Sequence, residues 1–506
     1  MSDLLWTPKD YHIGDATIIR VGDEYHLFTE QSPASWDGNT KRGFSGVRTV
    51  GHAVSRDLFR WEELPIAIAC GPPGSFDAFS IYHMDVFVHG DAWWMFYTGL
   101  DKGGPGEQQS IGLATSRDGI RWEKHPANPI LRADLRWYEP AIPREATYQE
   151  KDFGRLWFRD PCVIRDPKTG RFGMIVVARD QSKHPDVRGC LAWATSDDLV
   201  HWQPHPPIYS PGRFHTIETP SIFERGGRHY IVFMSHPSWG TPFLTTDPYQ
   251  DAGDFYAVST SGPTGPYEQP SDEILVAAHR ETRMGACRTV DAPNGERFLY
   301  GWLRVGSRGD DAKPQHSYRL LVPPPRRIKF GHDGQMQVVY YERIESFCEA
   351  VPLPPLAWHE PERWSVRDAV TGKHFSGRTL ATFGGQETNV IFSARVRFLR
   401  GERAGLILRA DETGQCGWQV VADRRMGRIE FGLLGSEQFI DARRWQPADE
   451  VELKVVAYRE SVEVYADDRL MIHQVRHRET TGRLGYLVER AEAQFENPRL
   501  LRFRRP

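Results

Sequence analysis

The chain has 506 residues, which exceeds one ordinary domain, so two or three domains are expected. Its 63 Lys and Arg residues nearly balance its 67 Asp and Glu residues, and the net charge of -4 gives no sign of a nucleic-acid partner. The sequence has no apolar run of bilayer length and no signal-peptide pattern at its start. Six scattered cysteines fit neither a disulfide framework nor a zinc site. We therefore expect a cytoplasmic protein.

One sequence pattern recurs through residues 1–347. Each copy has an aromatic, strand-like run such as Tyr25–Phe28, followed by a Ser-x-Asp turn and a tryptophan. The clearest copies of the second part are His52–Trp61, Leu113–Trp122 and Ala192–Trp202. A fourth copy has Tyr267 in place of the tryptophan, and a fifth begins at Arg297. Repeated all-β units with no helix between them predict a five-bladed β-propeller.

The sequence changes character after residue 347. A Pro-rich stretch, Val351–Pro355, indicates a linker over residues 348–360. Residues 361–506 then alternate apolar and polar residues between Gly, Asp and Asn turns, which is typical of a β-sandwich. The expected strands are Asn389–Phe398, Ala404–Arg409, Gly417–Val421, Arg428–Leu434, Glu450–Ala457, Ser461–Tyr465, Arg483–Val488 and Leu500–Phe503.

Three acids open three of the repeats at equivalent positions. Asp15 precedes the apolar run of the first repeat, Asp160 that of the third and Glu218 that of the fourth. A propeller gathers the first strand of each blade around its axis, so these acids should converge. Taken singly, each has a structural alternative: Asp15 could close a turn, Asp160 could pair with Arg159, and Glu218 could be an exposed charge.

Cleavage of a glycosidic bond requires such a set of acids. One carboxylic acid protonates the leaving oxygen, and a carboxylate attacks the anomeric carbon or activates water. We assign Glu218 as the acid because glutamate has the longer reach and the higher reference pKa. Asp15 is the candidate nucleophile, and Asp160 is the candidate stabiliser of the positively charged transition state. We expect neither a catalytic metal nor a cofactor.

The segment His52–Ala67 resembles the first blade of glycoside hydrolase family 32, which includes invertases, levanases and inulinases. Phe158–Pro161 is similar to its Arg-Asp-Pro motif, and Glu218–Glu224 is similar to its Glu-Cys-Pro-Asp-Leu-Phe-Glu segment. The resemblance implies a five-bladed propeller with a C-terminal β-sandwich and a retaining mechanism. It also implies the same three catalytic residues, an Asp nucleophile, an Asp stabiliser and a Glu acid/base.

Some positions depart from the family pattern. The nucleophile motif, usually Asn-Asp-Pro-Asn-Gly, here begins Gly14-Asp15-Ala16, and the usual Phe-Ser-Gly of the second blade is Phe79-Ser80-Ile81. These changes weaken fructose as the expected sugar more than they weaken glycoside hydrolysis. An inverting propeller glycosidase of the arabinofuranosidase or xylosidase type, and a non-catalytic carbohydrate-binding propeller, remain alternatives.

The expected ligand is a small carbohydrate, with no nucleic-acid or membrane partner and with the oligomeric state left open. Aromatic faces stack on sugar rings, and an arginine beside the acids can orient a carboxylate or a hydroxyl group. The candidate substrate-binding residues are Arg159, Trp36, Ser80, Trp157, Trp239 and Trp302.

Overall fold

The computed structural model describes residues 4–33, 49–102, 106–139, 156–235, 245–277, 284–305, 319–436, 438–476 and 481–504. Within these ranges the chain is almost entirely β-strand. The helical segments described are short 3-10 turns at Pro185–Val187, Glu342–Phe347 and Pro361–Arg363. None of the helices described here is long and apolar enough to span a membrane.

The first part of the chain forms four antiparallel sheets, each of four strands that pair in sequence order. The first sheet has β1 (Tyr11–Val21), β2 (Glu24–Pro33), β3 (Thr49–Ser55) and β4 (Glu62–Ala69). The second has β5 (Ser80–His89), β6 (Ala92–Leu100), β7 (Gln109–Ser116) and β8 (Glu123–Lys124). The third has β9 (Arg159–Arg165), β10 (Phe172–Arg179), β11 (Gly189–Ser196) and β12 (Gln203–Tyr209). The fourth has β13 (Glu218–Arg225), β14 (Arg228–Ser235), β15 (Gly253–Ser259) and β16 (Ile274–Ala277).

The remaining strands belong to one large sheet. Its first strands are β17 (Met284–Asp291), β18 (Arg297–Val305), β19 (Arg319–Leu321), β20 (Arg326–Phe330) and β21 (Met336–Val339). They are followed by β22 (Cys348–Val351), β23 (Ala357–Trp358), β24 (Trp364–Val366), β25 (Val370–Glu387), β26 (Val390–Ala410), β27 (Trp418–Asp423) and β28 (Arg428–Leu433). The last are β29 (Phe439–Arg444), β30 (Glu450–Tyr458), β31 (Ser461–Ala466), β32 (Arg469–Val475) and β33 (Gly482–Phe503).

The first strands of successive sheets form a closed ring. β1 packs beside β5, β5 beside β9, β9 beside β13, β13 beside β17, and β17 returns to β1. Apolar side chains fill the spaces between neighbouring sheets, as Ile175 and Ile231 do between the third and fourth. This arrangement confirms the predicted β-propeller and brings the N-terminal halves of the inner strands around one axis.

The repeated Ser-x-Asp motif closes the turn between the third and fourth strands of three blades. In the first blade the hydroxyl of Ser55 accepts from the N–H of Leu58, and Asp57 Oδ1 accepts from the N–H groups of Phe59 and Arg60, at 2.9 Å each. The serine and aspartate of the motif accept the equivalent backbone hydrogen bonds in the second and third blades. The turn predicted from these side chains is therefore confirmed.

The C-terminal strands are longer than the sequence pattern indicated. The expected strands Asn389–Phe398 and Ala404–Arg409 are parts of the single bent strand β26, and the last two expected strands are both parts of β33. The pattern also missed β24, β25, β29 and β32. Within the expected linker, Cys348–Val351 pairs with the end of β33.

Polar contacts fix the C-terminal region against the fourth blade. The buried carboxylate of Asp441 accepts from Gln250 Nε2 of the propeller at 2.8 Å and also from Gln474. The guanidinium group of Arg443 donates to the carbonyl oxygen of Ile274. Apolar residues from both parts of the chain share one core, so the two parts are packed together rather than loosely tethered.

A buried arginine crosses the ring beneath the N-terminal ends of the inner strands. Arg288 of β17 is 2% exposed and donates to Thr17 of β1. It also reaches His83 Nε2 at 2.9 Å and Asp85 Oδ1 at 3.0 Å, both on β5. The other oxygen of Asp85 accepts from the N–H of Val163 on β9 at 2.8 Å. One ion pair thus connects four of the inner strands.

Replacing Arg288 by Met should destabilise the protein strongly, because Asp85 would remain buried without its cation. Loss of one partner of a buried pair costs about 3–5 kcal/mol, to be measured as the free energy of unfolding in urea. As a control, Arg56→Met removes an exposed pair with Glu24 and should change stability by less than about 0.5 kcal/mol. Equal effects of the two substitutions would contradict this role of Arg288.

Candidate active site

The three predicted acids lie at β-bulges in the inner strands. Pairing of β1 with β2 moves from Ile13 to Ala16, so Asp15 lies inside a bulge. Asp160 occupies the corresponding place on β9, and Glu218 lies at the edge of the same irregularity on β13. A bulge turns side chains out of the regular alternation of a strand. The local irregularity therefore points successive acids toward a common region.

The backbone at these bulges is strained. Asp160 has a φ of 56° and Thr219 a φ of 48°, the left-handed region that a β-branched residue rarely adopts. Both residues are buried, and the N–H of Thr219 donates to Asp160 Oδ2 at 2.9 Å. The N–H of Asp160 in turn donates to the hydroxyl of Thr98 at 2.9 Å. Strain of this kind, about 1–3 kcal/mol per residue, is typical of functional sites.

Asp15 is held by a neighbour from β18. The indole Nε1 of Trp302 donates to Asp15 Oδ1 at 2.8 Å. The indole fits because residue 285, on the facing strand, is glycine: a Cβ there would lie 2.6 Å from the Trp302 ring. Asp15 and Trp302 both remain partly exposed, so this pair borders the open part of the site.

Arg159 connects the other two acids. Its guanidinium group donates to Glu218 Oε1, and its Nε lies 3.7 Å from Asp160 Oδ2. The same group lies 3.8 Å from the ring centroid of Trp157, a cation–π contact with a buried ring. The arginine is only 9% exposed, so its charge acts on both carboxyl groups with little screening.

Burial raises the pKa of all three acids. Burial, reinforced by the charge of Asp160, raises the pKa of Asp15 to about 7, although the Trp302 hydrogen bond acts against it. Burial raises the pKa of Glu218 to about 8 despite the opposing charge of Arg159. Burial also raises the pKa of Asp160, with Arg159 limiting the shift. The acids act on one another, so at neutral pH the group retains protons.

A fourth carboxyl group, Glu30 of β2, belongs to this cluster and was missed in the sequence. It is 4% exposed, and its Oε2 accepts from the N–H of Asp15 at 3.3 Å. Burial and the charges of Asp15 and Asp160 raise its pKa well above the usual range. The only sequence signal was an acid at the end of the aromatic run Tyr25–Phe28. Its position opposite the β1 bulge depends on the strand register.

The structure describes four of the six predicted substrate-binding residues. Trp302 and Arg159 contact the acids directly. Ser80, at the start of β5, and Trp157 are both buried. Their contact with a substrate stays a prediction. Trp36 and Trp239 lie outside the described residues.

No metal cluster of three or more His, Cys, Asp or Glu side chains occurs in the part of the chain that the structure describes. His83 and Asp85, whose side chains are of metal-binding types, contact Arg288. The expectation of a metal-free reaction stays a prediction.

A family model and individual proteins of known name both match this chain. Residues 7–341 match the model of the glycosyl hydrolases family 32 N-terminal domain. Raffinose invertase of Escherichia coli is 24% identical over 468 residues, covering 89% of this chain and 83% of that protein. Fructan 6-exohydrolase of Triticum aestivum is 25% identical over 352 residues, covering 64% of this chain but about half, 53%, of that protein.

A solved structure supports the same fold. The exo-inulinase of Aspergillus awamori superposes with a TM-score of 0.69 at 16% sequence identity, covering 99% of this chain and 98% of that one. The family match spans more than half of the sequence and contains Asp15, Glu30, Asp160 and Glu218. The chain therefore belongs to glycosyl hydrolase family 32 and is an O-glycosyl hydrolase.

Proposed function

We propose that this protein hydrolyses β-fructofuranosidic bonds by a retaining mechanism, with Asp15 as the nucleophile and Glu218 as the acid/base. The observation that carries the assignment is the different surroundings of the two groups. The Trp302 indole favours the ionised form of Asp15, whereas burial, with the negative charges of Asp160 and Asp15, outweighs Arg159 and favours the protonated form of Glu218. The reaction requires one carboxyl group that is ionised and can attack, and a second that is protonated and can donate its proton.

In the first step, an oxygen of the Asp15 carboxylate would form a bond to the anomeric carbon of the fructosyl unit. The bond from that carbon to the leaving oxygen breaks, and the leaving oxygen takes the proton of Glu218. This step produces a covalent fructosyl-enzyme and an ionised Glu218.

In the second step, Glu218 would remove a proton from water while the water oxygen attacks the same carbon. The bond to Asp15 breaks, fructose is released, and both acids return to their starting states. Arg159 favours the ionised Glu218 that exists between the two steps, because its guanidinium group contacts that carboxylate directly.

Asp160 would stabilise the positive charge that develops on the sugar ring. Its Oδ2 is fixed by the N–H of Thr219 and lies near Arg159, so it would act as a preorganised carboxylate. A carboxylate that needs no reorientation during the reaction stabilises the transition state more than the bound substrate.

We further infer that β17, β18, β20 and β21 form a fifth blade. β17 completes the inner ring, and its neighbours pair with one another as in the other blades. Among the described residues, a single pair, Val339–Arg469, joins these strands to β32. A propeller over residues 1–347, a linker at 348–360 and a sandwich over 361–506 remain the proposed domains. The cytoplasmic location stays a prediction.

The proposed substrate is a small carbohydrate that ends in a β-fructofuranosyl unit. The relatives named above act on raffinose and on fructan, and both names indicate such a unit. In this chain Gly14 stands where the family usually has an asparagine before the nucleophile, so no side chain at that position can contact the sugar.

Asp15→Asn should lower kcat by at least about 1,000-fold on sucrose and on an aryl fructoside alike, because both reactions need the nucleophile. Glu218→Gln should lower kcat/KM on sucrose by about 100- to 10,000-fold and lower kcat/KM far less on the aryl fructoside. An aryl leaving group needs little protonation, so the bond can break without the acid. Full activity of either variant on sucrose would contradict the assignment.

The activity should have a narrow optimum of pH. Asp15 must be ionised and its pKa is about 7, whereas Glu218 must be protonated and its pKa is about 8. A plot of kcat/KM against pH should therefore fall below about 7 and above about 8. Glu218→Gln, assayed with the aryl fructoside, should lose the alkaline fall and keep the acid one. Persistence of the alkaline fall would exclude Glu218 as its cause.

A further inference from the structure

Glu30 takes up space beside the nucleophile that a side chain at position 14 would otherwise occupy. A Cβ on Gly14 would lie 2.2 Å from Glu30 Oε2 and 2.9 Å from Glu30 Cβ. A side chain at position 14 would therefore require Glu30 to move away from Asp15. Glycine at position 14, which departs from the family pattern, leaves the space that Glu30 occupies.

The strand register explains what Glu30 binds. Ile13 pairs with Gln31 and Ala16 pairs with Thr29, so Gly14 and Asp15 together face Glu30 across the bulge. A bulge leaves backbone groups without a ladder partner. Glu30 satisfies one of them by accepting from the N–H of Asp15 at 3.3 Å. A side chain of β2 thus holds the backbone of the nucleophile on β1.

The charges around Glu30 disfavour a second anion. Asp15 and Asp160 are the charges that act on it most strongly, and both are negative. Both buried arginines described in this region already have acidic partners: Arg288 pairs with Asp85 at 3.0 Å, and Arg159 contacts Glu218 and Asp160. The adjacent ring of His83 stays neutral because burial and Arg288 lower its pKa. An uncompensated buried carboxylate is costly, so Glu30 retains its proton.

We propose that Glu30 is a positioning residue that is a neutral carboxylic acid while the site works and that holds Asp15 in place through its backbone N–H. This inference rests on the proposed role of Asp15 as the nucleophile. Glu30 stabilises the bulge that presents the Asp15 carboxylate, without adding a negative charge beside it. The departure at position 14 is thereby compensated from the neighbouring strand.

The test compares Glu30→Ala with Glu30→Gln on sucrose. Glu30→Ala should lower kcat by about 100-fold, because small misplacements of a reacting group cost that much, and should change KM by less than about threefold. Glu30→Gln still offers an oxygen to the Asp15 N–H and should recover kcat to within about fivefold of the wild type. Glu24→Gln, an exposed residue on the same strand, is the matched control with unchanged kinetics.

The charge state is tested by the pH profile of Glu30→Gln, which does not depend on Glu30→Ala being folded. A neutral amide in place of a neutral acid should leave the acid fall of kcat/KM where it is in the wild type. A shift of that fall to lower pH would mean that Glu30 is ionised and would overturn the proposal. A raised KM with unchanged kcat in Glu30→Ala would overturn it too, because Glu30 would then bind the sugar.

Asp15→Asn separates this inference from the proposed function. If Asp15→Asn is inactive while both Glu30 variants match the wild type, only the role of Glu30 fails. If Asp15→Asn is fully active, the proposed function fails with it.

Discussion

The site depends on an imbalance of buried charge. Four carboxyl groups, those of Asp15, Glu30, Asp160 and Glu218, act on one another at the ends of the inner strands. Arg159 is the cation in direct contact with two of them, and Arg288 is already paired below. Because water is largely excluded, the carboxyl groups cannot all be ionised together. The protons that they keep are the ones that an acid catalyst needs.

The propeller produces this imbalance by repetition. Each inner strand carries a bulge near its N-terminal end, and the ring brings these bulges together. The left-handed backbone at Asp160 and Thr219 is held by hydrogen bonds across blades, including one from the N–H of Asp160 to Thr98. Strain and charge repulsion in the centre are offset by apolar packing between the blades and by the ion pair of Arg288.

The sequence predicted those features that repeat. The catalytic acids occur at equivalent positions in three repeats. The Ser-x-Asp motif likewise occurs in three turns, so each of these predictions was supported by more than one copy. Glu30 has no counterpart in the other repeats, and its importance depends on the register of β1 with β2 and on the absence of a Cβ at Gly14. Neither the register nor that clearance can be read from composition or periodicity.

Periodicity also failed to predict the true lengths of the C-terminal strands. Alternation located most of them but could not show that β26 and β33 continue through their bends, where Gly401 and Arg490 have positive φ. Asp441 lies on β29, one of the strands that the alternation missed. In the structure Asp441 is buried against Gln250 of the fourth blade. Whether such a charged residue is buried depends on contacts between segments that are distant in the sequence.

Formation of a covalent bond at Asp15 is the most direct test of the account. Glu218→Gln would be mixed with an aryl fructoside, quenched in acid, digested and examined by mass spectrometry. Without the base that activates water, the intermediate should accumulate, and a fructosyl group should be found on the peptide that contains Asp15. Aryl alcohol released without any adduct, or an adduct on a different acid, would contradict the assignment of Asp15 as the nucleophile.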